Sequence, residues 1–117
     1  MNTLTAEEAV RAYFAAYSDA RPDRLEELVS PDYVDYGHTL PGHGPQGVRD
    51  DYEHAVQVAG GVIQYDIEAL VAGVDAVAVT RTGHLPNGSD YRGLSLYLVA
   101  DGRITEARIT FIDLPPD

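Results

Sequence analysis

Tyr91 to Phe111 reads YRGLSLYLVADGRITEARITF. Two long strands are expected here, folded back on each other at Asp101-Gly102. Asp-Gly in a two-residue turn supplies the positive φ angles that a type I′ hairpin requires. Along the first strand Leu94, Leu96 and Leu98 alternate with Gly93, Ser95 and Tyr97. Alternation of this kind separates two faces of a sheet, one dry and one wet. The second face here carries a hydroxyl and a phenol rather than charges, which points to a cavity lined by polar aromatic groups.

Working outward, the preceding strands share the same period of two. Ile63, Tyr65, Ile67, Ala69 and Val71 alternate with Gln64, Asp66 and Glu68, and a turn near Gly73 leads into 74–83, where Val77, Val79 and Arg81 share a face. Asn87-Gly88 marks another hairpin within the loop 84–90. Upstream the period is helical. Thr5 and Glu8 form a capping-box pattern before a helix over 4–18, with Val10, Tyr13, Phe14 and Tyr17 as its apolar stripe. A short second helix is expected over 22–29, started by Pro22 and stopped by Pro31. A short strand follows over 33–36. The loop 37–47, GHTLPGHGPQG, is too rich in breakers for a regular element. The third helix spans 46–58 and stops at Gly60-Gly61. Helices first and a four-strand antiparallel meander afterwards argue for one α+β domain over 1–117. In it a curved antiparallel sheet wraps around three N-terminal helices and encloses a cone-shaped cavity. With Ser95 facing that cavity, the three leucines point outward, and a homodimer through the outer sheet face would cover them.

Composition narrows the function. The 117 residues carry 19 acidic against 8 basic side chains, net −11, and every basic one is arginine. That charge argues against nucleic acid or an anionic membrane as a partner. Cysteine is absent, which removes disulfides and thiolate metal sites. No apolar run approaches the roughly 20 residues that span a bilayer, and MNTLTAEEAV lacks the features of a signal peptide. A cytoplasmic protein is expected. Eight tyrosines against two phenylalanines suggest a set of hydroxyl donors, Tyr13, Tyr17, Tyr36, Tyr65, Ser95 and Tyr97, that polarise a ligand oxygen without titrating near neutrality. His38, in the glycine-rich loop, is the candidate for moving a proton. Arg81, if inward, needs a carboxylate or a ligand anion, the protein candidates being Asp66 and Glu68. His43, His54 and His84 match no compact metal motif, and no metal site is expected.

Three segments carry a family resemblance: AVRAYFAAYSDARPDRLEELVSPDYVDYG, PGHGPQGVRDDY and LSLYLVADGRITEARITF. Together they resemble the nuclear transport factor 2-like (cystatin-like) superfamily, especially its SnoaL-like polyketide cyclase and ketosteroid isomerase-like branch. The resemblance implies a cofactor-independent enzyme that isomerises, cyclises or dehydrates a hydrophobic polyketide- or steroid-like molecule. A binding or dimerisation module with the same cavity is the alternative. By the same resemblance Tyr13 matches an oxyanion-hole tyrosine, and Tyr17 and Tyr36 match the tyrosines of scytalone dehydratase. His38 lies near the position of a base aspartate, and Ser95 stands where a carboxylate is common. The implied site is therefore catalytic Tyr13, Tyr36, His38 and Ser95, with Tyr17, Tyr65, Arg81 and Tyr97 binding substrate.

Overall fold

The structure, a computed structural model, describes residues 3–36 and 43–113. Three helices come first: α1 (Ala6–Ser18), α2 (Pro22–Leu28) and α3 (Gly44–Ala59). Five strands complete the fold: β1 (Val29–Asp35), β2 (Gln64–Ala72), β3 (Ala76–His84), β4 (Asp90–Ala100) and β5 (Arg103–Asp113). One sheet holds them in the order β1-β5-β4-β3-β2. The expected α+β architecture is present, with the four-strand meander β2 to β5 as its larger part.

The fifth strand is where the sequence reading falls short. β1 starts directly after α2, at Val29, and carries Pro31 within it. It runs parallel to β5, with Val34 opposite Glu106 and Asp35 opposite Ala107. Pro31 is tolerated because β1 is an edge strand, where an N–H facing away from the ladder is not missed. Its pairing with β5 is irregular between Val29 and Val34.

Local signals explain the rest. Thr5 and Glu8 close the capping box reciprocally, Glu8 N–H donating to Thr5 Oγ1 at 3.1 Å and Thr5 N–H to Glu8 Oε1 at 2.9 Å. Gly60 ends α3 in the left-handed conformation, φ 77°. Arg49 of α3 pairs with Asp23 and Glu26 of α2, tying the two helices together. At the hairpin tip Asp101 (φ 53°) and Gly102 (φ 76°) are both left-handed, as a type I′ turn demands. A β-carbon on Gly102 would sit 2.6 Å from Thr3 Cγ2, so this turn also packs against the chain entering α1.

The hairpin register separates the faces of β4 as its alternation indicates. Gly93, Ser95 and Tyr97 are buried, whereas Leu94, Leu96 and Leu98 are exposed by 37 to 42 %. In β2 the alternation fails halfway. The pairing with β3 shifts between Ile67 and Ala69, leaving Glu68 as a bulge. Beyond it Leu70 takes the inner face, and Ala69 and Val71, expected inside, are exposed. On the outer face Glu68 accepts from Thr82 Oγ1 and from Arg92 Nε and Nη2.

His84, expected in a loop, is the last residue of β3. It bridges the outer face, Nε2 to Asp66 Oδ2 at 2.7 Å and Nδ1 to Asp90 Oδ1 at 2.8 Å. The two carboxylates, Asp90 first, raise the imidazole above its ordinary 6.5. A raised histidine stabilises the fold fully below pH 6.5, and that contribution disappears as pH rises through the folded-state value. Wild-type melting temperature should therefore fall with rising pH across this window, and His84→Gln should flatten the slope. An NMR titration placing the His84 ring at or below 6.5 contradicts the bridge.

Candidate active site

Four inward rows of the sheet build the site. Nearest the mouth, Tyr65, Gly83 and Tyr91 lie side by side across β2, β3 and β4. The next row is Ile67, Arg81, Gly93 and Phe111, and the third is Leu70, Val79, Ser95 and Ile109. Deepest are Val77, Tyr97, Ala107 and Asp35. The helix α1 lies against these rows and contributes Tyr13, Phe14 and Tyr17, all buried. Between helix and sheet is a cavity of about 230 Å³.

Two glycines make the rows fit. A β-carbon on Gly83 would meet the Tyr91 ring at 2.6 Å. One on Gly93 would stand 3.2 Å from Arg81 Nη2 and 3.4 Å from Cζ. The missing side chains are thus the spaces that Tyr91 and Arg81 occupy, and each large residue lies over its cross-strand glycine.

Arg81 is only 4 % exposed. Its Nε donates to Ser95 Oγ at 3.0 Å, and the guanidinium carbon stands 5.2 Å from the Tyr65 ring centre and 5.4 Å from that of Phe14. Desolvation works against its charge, but Tyr97, Tyr65 and Tyr91 outweigh it and the pKa is raised, so Arg81 is a cation at any physiological pH. Neither expected carboxylate reaches it. Asp66 is engaged by His84 and Glu68 by Arg92, both on the outer face. Among the described residues lining the cavity, Arg81 is the sole charged side chain.

The phenols cluster as a connected aromatic wall. Tyr13 lies 5.3 Å from Tyr17 and 5.6 Å from Tyr97, centre to centre, and Tyr17 lies 5.7 Å from Tyr65. The Tyr65 and Tyr91 hydroxyls share a hydrogen bond of 2.7 Å at the mouth. Burial raises Tyr13, Tyr17, Tyr33 and Tyr65 well above the usual phenol value, and lifts Tyr97 to about 12 while Arg81 holds it back. These groups remain protonated donors throughout the physiological range.

Of the residues singled out in the sequence, Tyr13, Tyr17, Tyr65, Arg81 and Tyr97 line this cavity together. Ser95 lies behind Arg81, fully buried, and serves as its acceptor. Tyr36 is elsewhere: it is 49 % exposed, with Arg108 of β5 over its ring at 4.5 Å. Tyr36 directly follows Asp35, the last residue of β1, in extended chain whose N–H donates to the Ala107 carbonyl, so with Asp35 inside, Tyr36 faces out. His38 lies outside the described residues.

Asp35 is the residue the sequence reading missed. It is 1 % exposed, and its charge acts on Tyr13, Tyr33 and Tyr97. Tyr33 stands on the same face of β1, also buried. The signal existed in the alternation Tyr33, Asp35 against Val34, Tyr36, which places an acid on the face of a core tyrosine. Asp51 of α3 acts in a similar way on Tyr17.

Replacing Ser95 by alanine should leave a buried guanidinium N–H without its acceptor, at a cost of about 1–3 kcal/mol. Urea denaturation measures this directly. An unchanged midpoint would mean that Ser95 does not hold Arg81.

Comparison with known proteins follows the same lines. The SnoaL-like domain pattern matches residues 10–107. Among solved structures, a protein from Sinorhizobium meliloti provisionally assigned as a polyketide cyclase is 24% identical, with TM-score 0.75, covering 87% of this chain and 93% of its own. A cystatin-like protein of unknown function from Methylobium petroleophilum superposes with TM-score 0.82 at 20% identity, covering 97% and 81%. A Catenulispora acidiphila protein with a ketosteroid isomerase-like fold, solved with trimethylamine, gives TM-score 0.75 at 18% identity, covering 92% and 86%. No curated protein matches the sequence. The five-strand curved sheet with its three helices is shared with these structures, and the chain belongs to the SnoaL-like domain family.

Proposed function

We propose that this protein is a cofactor-independent enzyme acting on a hydrophobic, oxygenated small molecule by isomerisation, cyclisation or dehydration. The observation that carries the reading is the convergence of protonated phenols, Tyr13 and Tyr97 foremost, at the buried end of an aromatic cavity, with the charge of Asp35 acting on both. A substrate ring packs on Tyr17, Phe14 and Tyr65, with its carbonyl directed inward. There two fixed phenol donors hold charge that develops on the oxygen when a neighbouring carbon loses a proton, and they do so in a dry site where such donors count most. Proton movement falls to the end of β1. Asp35 is buried there, and His38 follows it in sequence. The provisional polyketide cyclase assignment of the Sinorhizobium protein and the ketosteroid isomerase-like fold of the Catenulispora protein support this reading.

A binding module is the second reading. One observation favours it: Ser95 occupies the inner face of β4 and is spent on Arg81, so β4 offers the cavity no acid. Proton exchange separates the two. In D₂O the protein should accelerate deuterium incorporation next to the carbonyl of 2-tetralone, and Tyr13→Phe should reduce the acceleration by about 10²-fold. A rise in melting temperature with 2-tetralone, but exchange at the buffer rate, would establish binding without chemistry.

The exposed Leu94, Leu96 and Leu98 form an apolar strip on the outer sheet face. In this reading two copies pair through it. Sedimentation velocity should show a dimer for the wild type and a monomer for Leu96→Glu; a monomeric wild type removes the pairing.

A further inference from the structure

Among the described residues the cavity lining is neutral but for one charge, which no carboxylate there pairs with. Arg81 is buried in a protein of net charge −11 and forms no ion pair with any carboxylate of the described residues. Its surroundings account for part of the guanidinium only. Ser95 Oγ takes the Nε proton, the Phe14 and Tyr65 rings flank the cation at 5.4 and 5.2 Å, and the Tyr65 hydroxyl also accepts from the guanidinium. A guanidinium presents further N–H donors at its two terminal nitrogens, arranged as a fork that fits a carboxylate. Nη2 and Cζ stand 3.2 and 3.4 Å from the place a β-carbon on Gly93 would fill, so one face of the guanidinium lies against the strand, while Arg81 also lines the cavity. Burying a charge without an opposite charge is costly. The fold nevertheless builds the site deliberately, with Gly93 making room and Ser95 orienting the plane.

Resting on the cavity reading above, we propose that Arg81 anchors an anionic group of the ligand, and that the natural ligand is a one- or two-ring compound bearing a carboxylate. The cavity of about 230 Å³ lies at the small end for ligand pockets, which usually measure about 300–1,000 Å³, and suits a one- or two-ring compound. The rows set the orientation. Arg81 stands one row in from the Tyr65–Tyr91 pair at the mouth, and Tyr97 with Asp35 stands two rows deeper. A ligand held by its carboxylate at Arg81 therefore directs its far end towards the phenols. The anchor and the reacting oxygen are thus separate places, which explains a cation that the phenol chemistry does not require.

The test uses 1-naphthoate and its uncharged counterpart 1-naphthalenemethanol, measured by calorimetry on the full chain. Wild type should bind the carboxylate about tenfold or more tightly than the alcohol, the scale of a charge-assisted hydrogen bond. Arg81→Met should remove this preference while retaining the alcohol, and Ser95→Ala should reduce it. Equal affinities in the wild type overturn the anchor and leave the cavity reading standing. Failure of both compounds to bind overturns both. The wild-type comparison decides the matter even if Arg81→Met does not fold, and Arg81→Lys, which keeps charge but loses the fork, should retain an intermediate preference.

Discussion

Two consecutive left-handed residues, Asp101 and Gly102, determine which face of β4 looks into the protein. A strand has a side-chain period of two, so sliding β4 against β5 by one residue would exchange its faces. Leu94, Leu96 and Leu98 would then fill the interior, and Gly93, Ser95 and Tyr97 would face water. The turn prevents this through its own geometry and through its close packing on Thr3 and Leu4. The pairing with β5 shifts between Leu98 and Val99, yet β4 itself keeps its alternation, and Gly93, Ser95 and Tyr97 stay on the inner face. Ser95 can accept from Arg81, and Gly93 can make room for it, because both point inward from the strand beside β3.

The cavity has a chemical gradient along the sheet. At the mouth, Tyr65 and Tyr91 share their hydroxyls and Phe111 is half exposed. Next comes a cation held in plane by one serine and two rings. At the deep end, protonated phenols lie within the field of a buried aspartate. The bulge at Glu68 contributes to the division between inside and outside. It moves Leu70 inward against the core, and it directs Glu68 to Arg92 on the outer face. On the outer face Asp66 is engaged by His84 and Glu68 by Arg92, and among the described residues no carboxylate forms an ion pair with the cationic centre within.

Much of this was legible in the sequence because it is local. Asp-Gly, the Thr5–Glu8 box and the alternation of β4 each act within a few residues, and each appears in the structure where the sequence places it. The inward face of Val77, Val79 and Arg81 is also a matter of simple alternation. What escaped is non-local. The parallel pairing of β1 with β5 joins segments some 70 residues apart and tolerates Pro31 only because β1 is an edge. The bulge in β2 leaves no glycine or proline as a marker, so Ala69 and Val71 read as core. Ser95 looked like a group facing the ligand, but the proximity of Arg81 across the strand pair makes it an orienting residue. Asp35 rather than Tyr36 faces inward because the face of a short strand depends on its partner, which the sequence does not show.

The central claim is that the charge of Arg81 is completed by a ligand. A crystal structure of the protein soaked with 1-naphthoate tests it most directly. The carboxylate should lie against the terminal nitrogens of Arg81, with the rings between Tyr17 and Tyr65 and directed towards Tyr97. Naphthoate seated with its carboxylate at the mouth, away from Arg81, or bound on the outer sheet face, would contradict it.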